Sequence, residues 1–285
     1  MTKFNILIAT QNHLTILDRL DVKFKPIIVG SKGIEINFPP RYLKDSTGDN
    51  LSEKNSIYCE MTAIYWLWKN KSLAGIVGLN HYRRFFDIST KRSLKHYFIP
   101  VPRITDKILE KININNKECL KILNSKDIIL PNPRILTNTL YEEYINDKHT
   151  IKSDIDQLIE ILLEEGESAL DIDNIFHGNR LYHYNMFITK RETFDSYADW
   201  VFPILKKLEH SISMEGRTVQ QKRSLGYLSE RLLTYYFLSR NLSIYHSDVI
   251  WINDKYKLFR YFKPYNITTC NILNILGLRL YNLIR

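Results

Sequence analysis

The chain has 285 residues, 12% of them aromatic (18 Tyr and 13 Phe), and 40 Lys and Arg against 31 Asp and Glu give a formal net charge of +9. That length suffices for a full core in one large domain, or one domain with a small appendage; the abundance of aromatics over 10 Gly and 9 Pro excludes disordered and repeat architectures. The positive charge favours polyanionic surfaces, either nucleic acid or anionic lipid, but the basic residues are spread along the chain without an RNP-like, zinc-finger or basic-helix pattern, so no nucleic-acid partner is expected.

The chain opens on an apolar run too short for a signal peptide, and no segment approaches the length of a membrane span, so a cytoplasmic location is expected. Cys59, Cys119 and Cys270 are scattered, with no Cys-x-x-Cys pair, which suits a reducing compartment and gives neither a disulfide framework nor a zinc site. Phe4–Thr10 reads as the first buried strand and residues 25–30 as a short second apolar run. Between them, Thr10-Gln11-Asn12-His13 presents polar side chains that fit a nucleotide base or ribose as well as a helix cap. Residues 31–50, rich in Gly, Pro, Asp and Ser, read as a loop. Asn50 and Glu53 have capping-box spacing and open a helix through residue 69, with Ile57, Met61, Ile64, Tyr65 and Trp68 on one face. A strand over 75–79 follows, completing a strand–helix–strand unit that predicts a parallel or mostly parallel sheet flanked by helices.

Further along, residues 107–124 and 140–163 read as helices, with a buried strand over 126–131 between them. A strand over 181–189 precedes helices over 191–208 and 225–238, and Tyr245-His246-Ser247-Asp248 leads into an apolar run over 249–252. No linker divides the chain. The expected organisation is one α/β domain over residues 1–255 and a helical tail over 256–285. Within the tail, aliphatics combine with Arg279 and Arg285; this fits an interfacial helix on a membrane surface and equally a terminal helix packed on the core.

Several chemistries can be set aside, because the chain has no Gly-x-Gly-x-x-Gly after its first strand, no Walker loop, no Gly-x-Ser-x-Gly elbow and no His-Glu-x-x-His. Two Asp-x-Asp pairs occur, Asp154/Asp156 and Asp171/Asp173. Such carboxylates can hold a divalent cation that bridges a diphosphate, but neither pair follows an apolar strand and both read as solvated surface. The end of the 75–79 strand carries Asn80-His81-Tyr82-Arg83-Arg84 instead. Open α/β sheets bind ligands at the carboxyl ends of strands, and two guanidinium groups there point to phosphate or carboxylate; the alternative is an exposed pair with ordinary surface partners. His81 fits a phosphate donor, a metal ligand or a strand cap.

Two further groups carry polar side chains. His177, Asn179, His183 and Asn185, interleaved with Tyr182 and Tyr184, suit a sugar acceptor, and also suit a tyrosine-rich strand under a helix. Glu230, between Ser229 and Arg231 on an otherwise apolar helix, is either a structural ion pair or the base that deprotonates an acceptor hydroxyl.

Taken together, Gly48-Asp49-Asn50, Lys54-Asn55, Tyr58-Cys59-Glu60-Met61-Thr62-Ala63 with Tyr65-Trp66, and Gly78-Leu79-Asn80-His81-Tyr82-Arg83-Arg84-Phe85 resemble the signature of a bacterial family. That family has long been described as a domain of unknown function, and its members sit among capsular-polysaccharide and O-antigen synthesis proteins. Asn185-Met186-Phe187-Ile188, the 194–205 block and Gly226-Tyr227-Leu228-Ser229-Glu230-Arg231-Leu232 match it too, so the resemblance spans roughly residues 4–250. It implies a glycosyltransferase with a GT-A-like fold, whose characterised relatives include inverting galactofuranosyltransferases that use UDP-galactofuranose. The matched motif implies donor-site roles for Asp49, Asn50, Lys54, Asn55, His81, Arg83 and Arg84, joined by Thr10 at the end of the first strand. The expected partners are a UDP-sugar and a lipid-linked oligosaccharide at the inner membrane face. No cofactor is required if arginines neutralise the diphosphate. The alternatives are a GT-A hexosyltransferase that uses a UDP-hexopyranose and depends on Mg2+ or Mn2+, with ligands drawn from His81, Asp87 or His246 and Asp248, and a non-catalytic glycan-binding subunit.

Overall fold

The computed structural model describes residues 2–35, 37–70, 72–88 and 99–253. The strands are β1 (Phe4–Thr10), β2 (Phe24–Ile28), β3 (Leu43–Lys44), β4 (Ile76–His81), β5 (Arg84–Asp87), β6 (Ile99–Val101), β7 (Ile128–Pro131), β8 (Arg134–Ile135), β9 (Arg180–Leu181), β10 (Phe187–Lys190) and β11 (Ile244–Ile252). The helices are α1 (Thr15–Asp18), α2 (Asn55–Tyr58), α3 (Met61–Lys69), α4 (Asp106–Ile112), α5 (Asn116–Leu123), α6 (Leu140–Ile145), α7 (Lys152–Glu164), α8 (Ala169–Phe176), α9 (Arg191–Ser211) and α10 (Ser224–Ser239).

Strand β1 is buried along its whole length, as a strand covered by helices on both faces must be. It pairs in parallel with β2 (Ile8↔Pro26) and with β4 (Ile6↔Gly78), and β2 pairs in parallel with β3. This half of the sheet is the parallel unit expected from the sequence. The other half corrects that expectation, because β5 and β10 both run antiparallel to β4, and β11 runs antiparallel to β5 but parallel to β7. The sheet is therefore mixed. The physical reason is direct for β5: only Tyr82 and Arg83 separate it from β4, and so short a connection can make only an antiparallel hairpin.

The two halves meet in a fork. One edge of β4 pairs with β10 over residues 76–79 and with β5 at His81. Strand β11 likewise follows β7 over residues 244–247 and β5 over 248–251. Helices cover both faces. Leu7, Ala9, Val77, Leu79 and Phe187 share a core with α3, α7, α9 and α10, while Ile6, Ile8, Phe85 and Phe86 share another with α1, α4 and α5.

Several expected elements are interrupted. The helix expected to run to residue 69 is a 3-10 turn (Ser52–Lys54), then α2, then α3, with Cys59 between them at φ +52°. The capping box does not form. Asn50 Oδ1 accepts from Ser52 N–H at 3.2 Å and its amide donates to the carbonyls of Ser46 and Gly48, whereas Glu53 pairs with Lys32 at 3.1 Å. The strand expected over 181–189 is broken between β9 and β10, where Tyr184 and Asn185 adopt φ of +67° and +49°. The helices expected over 107–124 and 140–163 are each two shorter ones.

Two polar anchors set the frame around the site. Asp45, fully buried after β3, accepts from Gly30 N–H (2.9 Å), Ser31 N–H (3.0 Å), Ser31 Oγ (2.9 Å) and Ser52 Oγ (2.5 Å), tying the exit of β2 to the approach to α2. Arg191, at the start of α9, donates to the carbonyls of Leu67, Trp68, Asn70 and Leu73, closing the carboxyl end of α3. No described helix is long and apolar enough to cross a membrane. The 256–285 tail, with the expected membrane-surface helix and Cys270, lies outside the described residues.

Candidate active site

The carboxyl ends of β1 and β4, the tip before β10 and the first half of α10 converge on one group of side chains. At the turn after β4, His81 and Arg84 are cross-strand partners and so share a face of the hairpin. The Arg84 guanidinium lies 4.0 Å from the Tyr184 ring centroid, its Nε is buried without a hydrogen-bond partner, and among the described residues it has no carboxylate partner. Arg83 is exposed, stacked over Tyr82 at 5.1 Å. Two cations thus stand at a strand end held by aromatic faces, with their hydrogen-bonding capacity largely unspent.

Tyr184 is gripped from both sides. His81 Nε2 donates to its carbonyl at 2.7 Å, and its N–H donates to Glu230 Oε1 at 2.7 Å. Left-handed φ at two consecutive non-glycine residues costs free energy and persists only where the surroundings fix it. Here Asn185 completes the clamp, its Nδ2 donating to Glu60 Oε1 and to Ser229 Oγ, each at 2.9 Å.

The carboxylates of Glu60 and Glu230 occupy opposite sides of this corner. Burial opposes ionisation of Glu230, but the His183 ring (Nδ1 to Oε2, 3.3 Å), Arg231 (3.4 Å) and the Tyr184 N–H outweigh it and hold its carboxyl below the usual range. Glu60 behaves in the opposite sense. Burial, then the nearby Glu230 charge, push it up to about 7 against the lowering pull of the Asn185 amide. Burial and then the Arg84 charge push His81 down to about 4, so its ring is neutral at pH 7 and Nε2 carries the proton given to Tyr184.

Glu60 reaches this position because the chain breaks at Cys59. The Cys59 carbonyl is taken up by Asn55 Nδ2 (2.7 Å) and Thr62 Oγ1 (3.2 Å), and its Sγ accepts from Arg223 Nε at 3.2 Å. Burial, then Glu60, push the thiol up to about 11, so it stays protonated. The kink sits directly against α10: a Cβ on Gly226 would lie 2.7 Å from Cys59 Sγ, so only glycine lets the two segments approach this closely.

Of the sequence-derived candidates, His81, Arg84, His183, Asn185 and Glu230 are brought together here, with Arg83 on the exposed side of the turn. Thr10 ends β1 beside them, its hydroxyl closing a local turn onto Asn12. Asn55 supports the Cys59 kink and Asn50 braces its own loop, while Lys54 pairs with Glu209 at 2.6 Å. Asp49 is exposed and accepts from Tyr65 on the flank of α3 at 2.9 Å, and no described hydrogen bond joins it to the His81 group. His177 and Asn179 are exposed at the end of α8, where His177 pairs with Asp173 at 3.0 Å.

The Asp-x-Asp pairs divide. Asp171 and Asp173 lie on the outside of α8, but Asp154 corrects the expectation of a solvated pair: it is buried in a bidentate pair with Arg217 at 2.6 and 2.7 Å. Of the alternative metal ligands, Asp87 and Asp248 are cross-strand partners on β5 and β11. Asp87 pairs with Lys111, Asp248 accepts from Asn132, and His246 contacts the Tyr182 hydroxyl; no three His, Cys, Asp or Glu side chains form a candidate metal site among the described residues. Glu60 was not among the candidates. Its signal was a carboxylate beside the apolar face of an expected continuous helix, which only the Cys59 break turns inward.

The model of a family described as a domain of unknown function, DUF4422, matches residues 5–241. Among solved structures, the chain is similar to the apo form of WbbM, a bifunctional glycosyltransferase, with 27% identity and a TM-score of 0.80 over 88% of this chain and 45% of that one. The chain thus spans less than half the length of that protein. No curated protein matches. With the family model running from residue 5 to residue 241 of 285, the chain belongs to the DUF4422 family.

Proposed function

We propose that the chain is a glycosyltransferase with a GT-A-like fold, moving a hexose from a UDP-sugar, galactofuranose from UDP-galactofuranose by inversion, onto a lipid-linked capsular or O-antigen glycan at the inner face of the cell membrane. The observation that carries this reading is the pair of arginines at the carboxyl end of β4, without carboxylate partners among the described residues, in a turn that His81 ties to the corner where Glu60 and Glu230 bond. Similarity to WbbM supports the class.

In this reading the donor diphosphate lies against the His81–Arg84 turn, beside Thr10. Arg84 and Arg83 supply fixed positive charge to the departing diphosphate, the electrostatic role that contributes most when donors are pre-positioned. The acceptor sugar lies toward His183 and Asn185, and the carboxylate centre around Glu230 activates its hydroxyl. Asn50, Lys54 and Asn55 act at one remove, holding the loop and the kink that shape the pocket wall. Asp49, His177 and Asn179, exposed and outside this group, are assigned to donor and acceptor by the sequence resemblance and spacing alone.

The test is a screen of UDP-galactofuranose, UDP-galactopyranose and UDP-glucose for thermal stabilisation, since a ligand bound only by the folded state raises its melting temperature, followed by transfer from the stabilising donor. Stabilisation by one donor with transfer is the expected result. A protein that none of the three stabilises, and that releases no UDP from any, contradicts the reading.

A further inference from the structure

Both oxygens of Glu230 are committed, Oε1 to the Tyr184 N–H and Oε2 to His183 and Arg231. Glu60 is only half-buried, and its carboxylate accepts from the Asn185 amide at Oε1 and from its own backbone N–H, with no cation paired to it among the described residues. Three non-glycine residues at positive φ (Cys59, Tyr184 and Asn185) surround this one centre, and backbone strain held by such over-determined contacts collects where chemistry needs a side chain fixed. The Cys59 kink has one evident structural product: it turns Glu60 in from the line of a helix. We propose that Glu60 receives the proton of the acceptor hydroxyl, while Glu230 remains a permanent anion that fixes the Tyr184 corner. The proposal rests on the transferase reading above.

The step balances. The acceptor O–H bond breaks and its proton passes to the Glu60 carboxylate. The oxygen's electron pair forms the new bond to the anomeric carbon. The bond from that carbon to the diphosphate oxygen breaks, and its electron pair leaves with the nucleoside diphosphate beside Arg84. Two carboxylates whose environments drive them apart in acidity, one held ionised and the other raised toward neutrality, are the arrangement that separates fixed charge from proton transfer. The neutral His81 ring is occupied in holding Tyr184 and is not available to compete for the proton through Nε2.

The experiment uses the purified full chain, the UDP-sugar that stabilises it and an alkyl β-galactoside acceptor, with kcat measured across pH. Glu60→Gln keeps a carbonyl oxygen to accept from Asn185. It is expected to retain the donor-induced rise in melting temperature, to lose kcat on the order of 100- to 10,000-fold, and to lose the limb of activity that rises with pH through about 7. Glu60→Asp, should the amide variant fail to fold, is expected to keep that limb at reduced kcat. A folded Glu60→Gln that binds donor and retains both wild-type kcat and the limb overturns the assignment and leaves the transferase reading standing. A wild-type chain that binds and turns over no nucleotide sugar overturns both.

Discussion

The Nε2 of His81 donates to the carbonyl of Tyr184 at 2.7 Å, across 103 residues of sequence. This bond joins the basic turn after β4 to the strained corner before β10, so the turn that carries Arg84 and the corner where Glu60 and Glu230 bond are tied together. Arg84 stacked on the Tyr184 ring at 4.0 Å makes the second joint between them.

The His81 ring makes this unit acid-sensitive. Its acidity in the folded protein is shifted down to about 4 from the ordinary 6.5, so the folded state resists the protonation that the unfolded chain accepts. The stability this contributes is fully present above about pH 6.5 and is lost as pH falls toward 4. Glu60, raised to about 7, works in the opposite sense over the same interval, so the His81 contribution is read as a difference: urea denaturation at stepped pH should show the wild type losing more stability than His81→Gln as pH falls from 6.5 to 4.

Substituting Gly226 tests the packing that sets the kink. An added methyl group meets Cys59 Sγ at 2.7 Å and Cys59 Cβ at 2.9 Å, and overpacking of this kind costs roughly 1–3 kcal/mol. Gly226→Ala should lower the urea midpoint accordingly and, because Glu60 adjoins Cys59, reduce transfer more than the residual folded fraction accounts for.

Asp45 anchors the loop that leads into the site. Asp45→Ala removes the acceptor for two backbone N–H groups and two hydroxyls in a buried setting, a loss of about 3 kcal/mol. Chemical denaturation should detect it, and Asp45→Asn should recover part of it, since the amide oxygen still accepts.

Much of this fold was legible in the sequence because apolar runs bounded by polar residues mark buried strands: β1, β4, β7 and the end of β11 fall where those runs lie. The turn after β4 was legible for the same reason, charge standing out where a buried strand stops. The Cys59 break was not, since no glycine or proline marks it and the positive φ is imposed by Asn55, Thr62 and Arg223 from elsewhere in the chain. The Tyr184–Asn185 corner escaped for a like reason: its residues suit a strand, and the forces that bend them come from His81, Glu60 and Glu230. Asp154 reads as surface by composition, yet Arg217, 63 residues away, draws it into the core. The direction of β5 follows from a two-residue turn that was in plain view, but a strand–helix–strand unit alone says nothing about what is added beyond it.

The proposed hold of Arg83 and Arg84 on the diphosphate of a nucleotide sugar is read most directly from donor-induced thermal stabilisation of the wild type beside Arg83→Ala and Arg84→Met, the latter keeping an apolar stem against Tyr184. UDP-galactofuranose is expected to raise the melting temperature of the wild type, a shift that Arg84→Met abolishes and Arg83→Ala weakens, with transfer lost in parallel. Folded variants that keep the full shift and full transfer would contradict it.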